Sequence, residues 1–252
     1  MLKTLGLVEV CSSVELSQNA SVLRSLASRR LGSISLLEWV VRRVTECQTL
    51  EGIVVVAADD PACHRMLQLV PFDSATFISS ATDPLARAAA AIEEFEPEAI
   101  VRISLTSPFV DPEFIDRLVV SAEANRIYDY VSFCSKQGRS ALQSKIGLFG
   151  EWCRAEAVLK ANAEAVHGIE RQSATSFIYS HPELFQIRLL PIPNLLDRSD
   201  LRLSIDSEED WEHAQVIFDA LGPEHLDSRR IARLLEQNPA IRERMAVLNE
   251  NS

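Results

Sequence analysis

No apolar run in the 252-residue chain approaches 18 residues, so no membrane span is expected. Positive charge is in deficit: 25 Lys and Arg against 36 Asp and Glu give a net charge of −11. Nucleic acid and anionic membranes select basic patches, so this balance argues against a general role on either surface and leaves room only for a local anion site. Paired cysteine motifs are also missing. Cys11, Cys47, Cys63, Cys134 and Cys153 are scattered without CxxC spacing. They read as free thiols in a reducing cytoplasm, not as a zinc site or a disulfide frame. The stretch after Val10 is too polar for a secretory signal, and there is no internal repeat or low-complexity segment. What is present is a soluble composition, 47% hydrophobic and 24% charged, with enough chain for one large α/β domain or two small ones.

The first half alternates strand and helix signals. Leu5 to Val10, Ile53 to Ala57, Ile100 to Leu105 and Asp129 to Cys134 are apolar strand candidates, and Thr76 to Ile78 is a shorter one. Between them, apolar spacing predicts a helix within 34–47. Asp60-Pro61, Asp83-Pro84 and Asp111-Pro112 mark further helix starts, because an Asp side chain caps the first amides and Pro suits the first turn. Residues 11–33 are Ser-rich and aperiodic and read as a long loop. The second half is less regular. We expect strands at Ile146 to Phe149, Phe185 to Pro191 and Leu201 to Ile205. Helices are expected from Glu151 to Ala165, Gly168 to Tyr179 and Glu208 to Leu221, then two short ones towards residue 248.

This β-α-β-α order with continuous apolar strands predicts a mostly parallel sheet covered on both faces. Ligands of such sheets bind at the carboxyl ends of the strands. That gathers the stretch from Cys11, the Ala58-Asp59 turn and the Thr106-Ser107 loop around one crevice. Ser12 and Ser13 are candidates for a backbone anion nest there, although no glycine lies nearby. In RISLTSPFVDP (102–112), a threonine, Thr106, stands where a metal-binding carboxylate would be useful.

Several stretches in order resemble the cytidylyltransferases that make CMP-sugars, in particular the acylneuraminate and spore-coat polysaccharide type. They are LGSISLLEWVVRRV (31–44), IVVVAADDP (53–61), DPLARAAAA (83–91), VRISLTSPFVDPEFID (101–116), DYVSF (129–133), ATSFIYSHPELFQI (174–187) and LRLSIDSEEDWEHA (201–214). The resemblance implies a three-layer α/β/α Rossmann-like sandwich of the nucleotide-diphosphosugar transferase type over residues 1–221. Residues 136–185 would form the substrate side and dimer region, and 222–252 a helical extension. It also implies CTP or CMP and a sugar acid as ligands, Mg²⁺ as cofactor, and a homodimer.

Several positions depart from the family's pattern. The family's QARxGSxRxPxK loop falls within VCSSVELSQNASVL (10–23). Its cations fall on Ser12, Ser17 and Ser21, and its glycine on Val14. The Gly-Asp of the next loop falls on Leu105 and Thr106, so the metal aspartate is replaced by a side chain without charge. Mg²⁺ prefers carboxylate and phosphate oxygens. The second metal carboxylate is kept as Asp206 in SIDSEED, and a further acidic position falls on Lys145. Arg87 in DPLAR borders the nucleotide site by resemblance. His181 in YSHPELF lies on the substrate side, where it serves either a ligand or the turn before Pro182.

Three readings follow. The chain is a catalytically impaired family member that binds nucleotide or sugar. Or it is an active nucleotidyltransferase with a rearranged site, in which Arg24, Arg29 or Arg30 replaces the lost cations and Asp206 with Asp59 or Asp60 holds the metal. Or it is an interaction subunit with its crevice filled by Val14, Leu16 and Leu105.

Overall fold

The computed structural model describes residues 3–10, 26–141 and 144–250. Seven strands form the main sheet: β1 (Thr4–Glu9), β4 (Gly52–Ala58), β5 (Ala75–Ser79), β6 (Ala99–Ser104), β7 (Tyr130–Cys134), β8 (Glu151–Arg154) and β9 (Ile187–Pro191). Their order is β5-β4-β1-β6-β8-β7-β9. All are parallel except β8, which runs against both β6 and β7. Two short strands, β2 (Arg30–Leu31) and β3 (Ile34–Ser35), make a separate hairpin.

Helices cover both faces, as burial of the strands on two sides requires. One face carries α1 (Leu36–Thr45), α2 (Pro61–Leu67), α4 (Pro112–Ala124), α7 (Glu208–Leu221), α8 (Ser228–Glu236) and α9 (Pro239–Glu250). Val40, Ile115, Trp211, Ile231 and Met245 share its core. The other face carries α3 (Pro84–Phe95), α5 (Ala155–Glu164) and the short α6 (Ser176–Ser180), with Leu85, Val158 and Phe177 buried beneath them. The chain is a three-layer α/β/α sandwich with a mostly parallel sheet. Leu226, Ile231, Leu235 and Met245 place the helices beyond residue 222 in the same core.

The caps follow the sequence signals. Asp60, Asp83 and Asp111 each accept a first-turn amide with Pro at the first helical position. Asp111 also accepts the Ser228 N–H at 3.1 Å, so one carboxylate ties α4 to the start of α8. Ser207 and Asp210 form a reciprocal capping box on α7.

The second half departs from the sequence reading in four places. Glu151 to Arg154 is a strand, and the helix starts only at Ala155. A wholly buried Glu151 hides the alternation of that strand. Residues 146–149 and 201–205 lie outside the strands and the sheet ladders, because Leu203 and Ser204 bond to the Lys145 carbonyl and Ile205 to the Thr106 carbonyl instead. The expected helix over 168–179 divides into a 3₁₀ turn, Gly168–Arg171, and α6. The expectation of five free thiols holds for Cys47, Cys134 and Cys153. Cys63 is disulfide-bonded, a pairing that its sequence spacing does not reveal.

Candidate functional site

Three backbone segments meet beyond the carboxyl end of β6. The Thr106 carbonyl accepts the Ile205 N–H at 2.8 Å. The Lys145 carbonyl accepts the N–H groups of both Leu203 and Ser204, each at 3.1 Å. Gly147 makes this approach feasible. Its φ is +68°, and a Cβ there would lie 2.6 Å from Leu203 C and from Ser204 N, a separation that side-chain carbons do not tolerate. Lys145 is itself left-handed at φ +58°, which is uncommon for a residue with a Cβ.

This braid brings Thr106, Lys145 and Asp206 together. Lys145 Nζ lies 3.3 Å from Asp206 Oδ2. The same oxygen accepts from Ser204 Oγ at 2.8 Å and lies 3.4 Å from Arg202 Nη2. The Thr106 hydroxyl turns to Ser104 Oγ at 2.8 Å. Arg202 is anchored more firmly to Asp210, with Nε 2.8 Å from Oδ1. Burial pushes the Asp210 carboxyl up, but hydrogen bonds from Arg202, the Asp206 amide and Ser207 outweigh it and hold the group below its ordinary value.

A divalent cation does not fit this donor set. It has one carboxylate, and that carboxylate already faces an ammonium and a guanidinium. The neighbouring hydroxyl is engaged with Ser104. Mg²⁺ wants several oxygen ligands and little competing positive charge. Among the described residues no group of three His, Cys, Asp or Glu side chains is placed to share a metal ion.

Beside Lys145 opens a cleft of about 870 Å³. Residues of 135–139 and 144–146, the 197–200 loop and the end of α9 line it, with Ile146 and Ala246 its only apolar contributors among the described residues. Arg139 and Lys145 bring positive charge. Asp200, also in the lining, is held by Arg198 and Arg242, whose hydrogen bonds lower its carboxyl to about 2.

The other site candidates are more dispersed. Arg87 is buried, and its guanidinium donates to the carbonyls of Ala81 and Thr82 at 3.1 and 3.2 Å. His181 stacks on Phe177 with ring centroids 4.1 Å apart, and its Nδ1 lies 2.9 Å from the Phe177 carbonyl, at the end of α6. Ser12, Ser13, Val14, Leu16 and Arg24 lie outside the described residues. Arg29 pairs with Glu208 and lies over the Trp211 ring, 4.5 Å from its centroid. Arg30 donates to the Ser33 carbonyl. Asp59 pairs with His64 at 2.9 Å, and Asp60 caps α2. Both aspartates are thus engaged within the turn between β4 and α2.

A second charged group lies under α5 and α6. Arg102 Nε is 2.9 Å from Glu9 Oε2, and its Nη1 is 3.3 Å from Glu151 Oε2. Tyr130 and Thr175 also donate to Glu151. Burial and the Glu151 charge push the Tyr130 phenol well above its usual range and keep it a donor. The role of Glu151 escaped the sequence reading, since a lone Glu at a strand start gives no periodic signal.

A cytidylyltransferase family model matches residues 27–250. The chain is 27% identical over 218 residues to the spore coat polysaccharide biosynthesis protein SpsF of Bacillus subtilis, covering 84% of this chain and 87% of the relative. A cytidylyltransferase from Leptospira borgpetersenii superposes with a TM-score of 0.80 at 19% identity, over 96% of this chain and 97% of that one. The CMP:2-keto-3-deoxy-manno-octonic acid synthetase, solved with CTP, superposes with a TM-score of 0.62 at 10% identity, over 86% and 99% of the two chains. The sheet order, the braid beyond β6 and the family match over most of the sequence lead to one assignment: this chain belongs to the cytidylyltransferase family.

Proposed function

We propose that this protein is a nucleotide- or sugar-binding cytidylyltransferase relative of surface-polysaccharide biosynthesis in which the Mg-triphosphate chemistry is impaired. One observation carries the reading. The two positions that the family resemblance gives to metal-binding acids and its further acidic position converge in space, but they hold Thr106, Asp206 and Lys145, and Lys145 Nζ sits 3.3 Å from the one remaining carboxylate. In-line displacement on a triphosphate relies on a cation bridging phosphate oxygens, so this arrangement removes the main electrostatic aid to the transition state. The commitment of Arg29 to Glu208 and Trp211 supports the same view, because it occupies a cation that a shifted phosphate site would use.

In this reading residues 1–221 are the transferase-like domain and 222–252 an extension whose last helix borders the cleft. Ser12, Ser13, Arg87 and Thr106 belong to the nucleotide side, and His181 to the substrate side. The homodimer implied by the resemblance is part of the proposal, and sedimentation measures it directly.

The test is calorimetric titration with CMP, and with CTP in the presence and absence of Mg²⁺, alongside an assay for pyrophosphate release from CTP and acidic sugars. CMP binding, CTP binding that Mg²⁺ leaves unchanged, and no pyrophosphate release are expected. Mg²⁺-strengthened CTP binding with pyrophosphate release would establish an active enzyme with a rearranged site instead.

A further inference from the structure

We infer that α9 is a releasable strap: it holds the 199–204 segment, which leads into Asp206, through charged and polar ties that salt and acid loosen. The inference does not depend on which ligand the cleft takes.

It starts from an imbalance between the last two helices. α8 buries Ile231, Ala232 and Leu235, whereas Met245 is the one buried residue of α9. Ile241 joins the same core only in part. A helix docked by so little apolar surface belongs to the low-stability end of a fold. Polar ties do much of the rest. Arg242 Nε donates to Asp200 Oδ2 at 2.9 Å, and Arg244 Nε donates to Glu209 Oε1 at 2.7 Å. The side chains of these two pairs are between 24% and 62% exposed, so salt screens them. Asn249 makes the tightest link. Its Nδ2 donates to the carbonyls of Ser199 and Leu201 at 2.8 and 3.2 Å, and its Oδ1 accepts from Arg202 Nη1 at 3.3 Å. One side chain thus fixes the backbone just before Leu203 and Ser204, whose N–H groups bind the Lys145 carbonyl. A pivot is also present. α8 ends at Glu236 and α9 starts at Pro239, whose missing N–H interrupts the ladder between them. Ala246, Asn249 and Glu250 line the cleft, so release of α9 removes one of its walls. Once released, a 12-residue helix is too short to stay folded alone.

His213 makes the latch sensitive to protons. It lies one turn along α7 from Glu209, on the side that Arg244 reaches. Its Nδ1 is buried and has no hydrogen-bond partner among the described residues. Glu209, Asp210 and Glu212 of α7 face it with negative charge, and Arg244 of α9 with positive charge. Burial is the largest influence and lowers the imidazole below its ordinary value. Docking therefore favours the neutral ring. Its contribution is complete above about pH 6.5 and is lost as pH falls through the lower folded value.

The test is hydrogen–deuterium exchange of the intact protein, read by mass spectrometry at about 0.02 and 0.5 M NaCl. Amides of 240–250 are expected to exchange about fivefold faster at high salt, and those of 201–204 to rise with them, while α8 stays within about twofold. Arg242→Gln is expected to shrink the salt response, and Asn249→Ala to speed exchange in 201–204 already at low salt. Lowering the pH from about 7.5 to 5.5, with intrinsic exchange corrected, is expected to open α9 by about twofold or more, and His213→Gln to cancel that response. Salt-independent exchange of α9, or α8 and α9 opening together, overturns the inference. So does protection of 201–204 that persists while α9 opens, which is the pattern of a frayed terminus, or an acid response that survives His213→Gln.

Discussion

Two charge clusters in this molecule share the same ingredients and differ in surroundings. Under α5 and α6, Arg102 lies between Glu9 and Glu151, whose side chains are 8% and 0% exposed. Beyond β6, Lys145 and Asp206 are 37% and 31% exposed and border an open cleft. In the first, the charges are largely withdrawn from water; Tyr130 and Thr175 satisfy Glu151, while Glu9 Oε1 has no hydrogen-bond partner among the described residues. In the second, water still screens the pair and the ammonium keeps spare donors. Burial turns charges into structural obligations, because removing one partner strands the others. Exposure leaves them available to a ligand at little cost to the fold.

Breaking the sealed cluster should have the largest effect. Arg102→Leu would leave two buried carboxylates facing each other and should cost about 3–5 kcal/mol in urea-induced unfolding. Burial pushes the Arg102 guanidinium down, but Glu9 and Glu151 more than reverse this and raise it above its usual value, so its charge is constant over any accessible pH. A loss below about 1 kcal/mol would mean that the carboxylates find other partners or water, and the contrast would fail.

Gly147→Ala comes next. The added Cβ would meet the backbone of residues 203–204 and also force a side chain into left-handed geometry. We expect a loss of about 3 kcal/mol. Chemical unfolding measures it.

The two clusters also differ in how far the sequence exposes them. The helices over 84–95, 112–124 and 208–221 are legible from Asp-Pro or Ser caps and apolar spacing, and the structure keeps those bounds. The parallel core strands are legible as short β-branched runs between such caps. The candidate site is legible only through ordered resemblance, which places Thr106, Lys145 and Asp206 on separate segments. Nothing local in SKIGLF or SIDSEED says that they touch. Their meeting depends on backbone bonds between residues more than 50 positions apart and on the missing Cβ of Gly147. The β8 strand was hidden for a related reason. Glu151 sits where a buried strand would show an apolar residue, and only Arg102, Tyr130 and Thr175 make that burial tolerable.

Asp200 tests the wall of the open cleft through pH. Arg198, with Arg242, lowers its carboxyl from 3.8 to about 2. A depressed carboxylate contributes its full stability above the unfolded value and loses it as pH falls through the folded one. The contribution should therefore be intact above about pH 5 and decline towards pH 2, by roughly 2 kcal/mol in total. Asp200→Asn should remove that part of the acid dependence in thermal unfolding. An unchanged acid slope would show that the Arg198 and Arg242 contacts carry no net stability.

The smallest effect is the most informative for the comparison. Lys145→Met removes a charge from a pair that is about one-third exposed, and Asp206 retains Ser204 and Arg202. Stability should change by less than about 0.5 kcal/mol, within the range of exposed ion pairs. A small cost here beside a large one at Arg102 is what separates an exposed ion pair from a sealed one. If Lys145→Met instead destabilises the protein as Arg102→Leu does, then the left-handed lysine is as much a structural strut as the sealed cluster, and the contrast between exposed and buried charge fails at this pair.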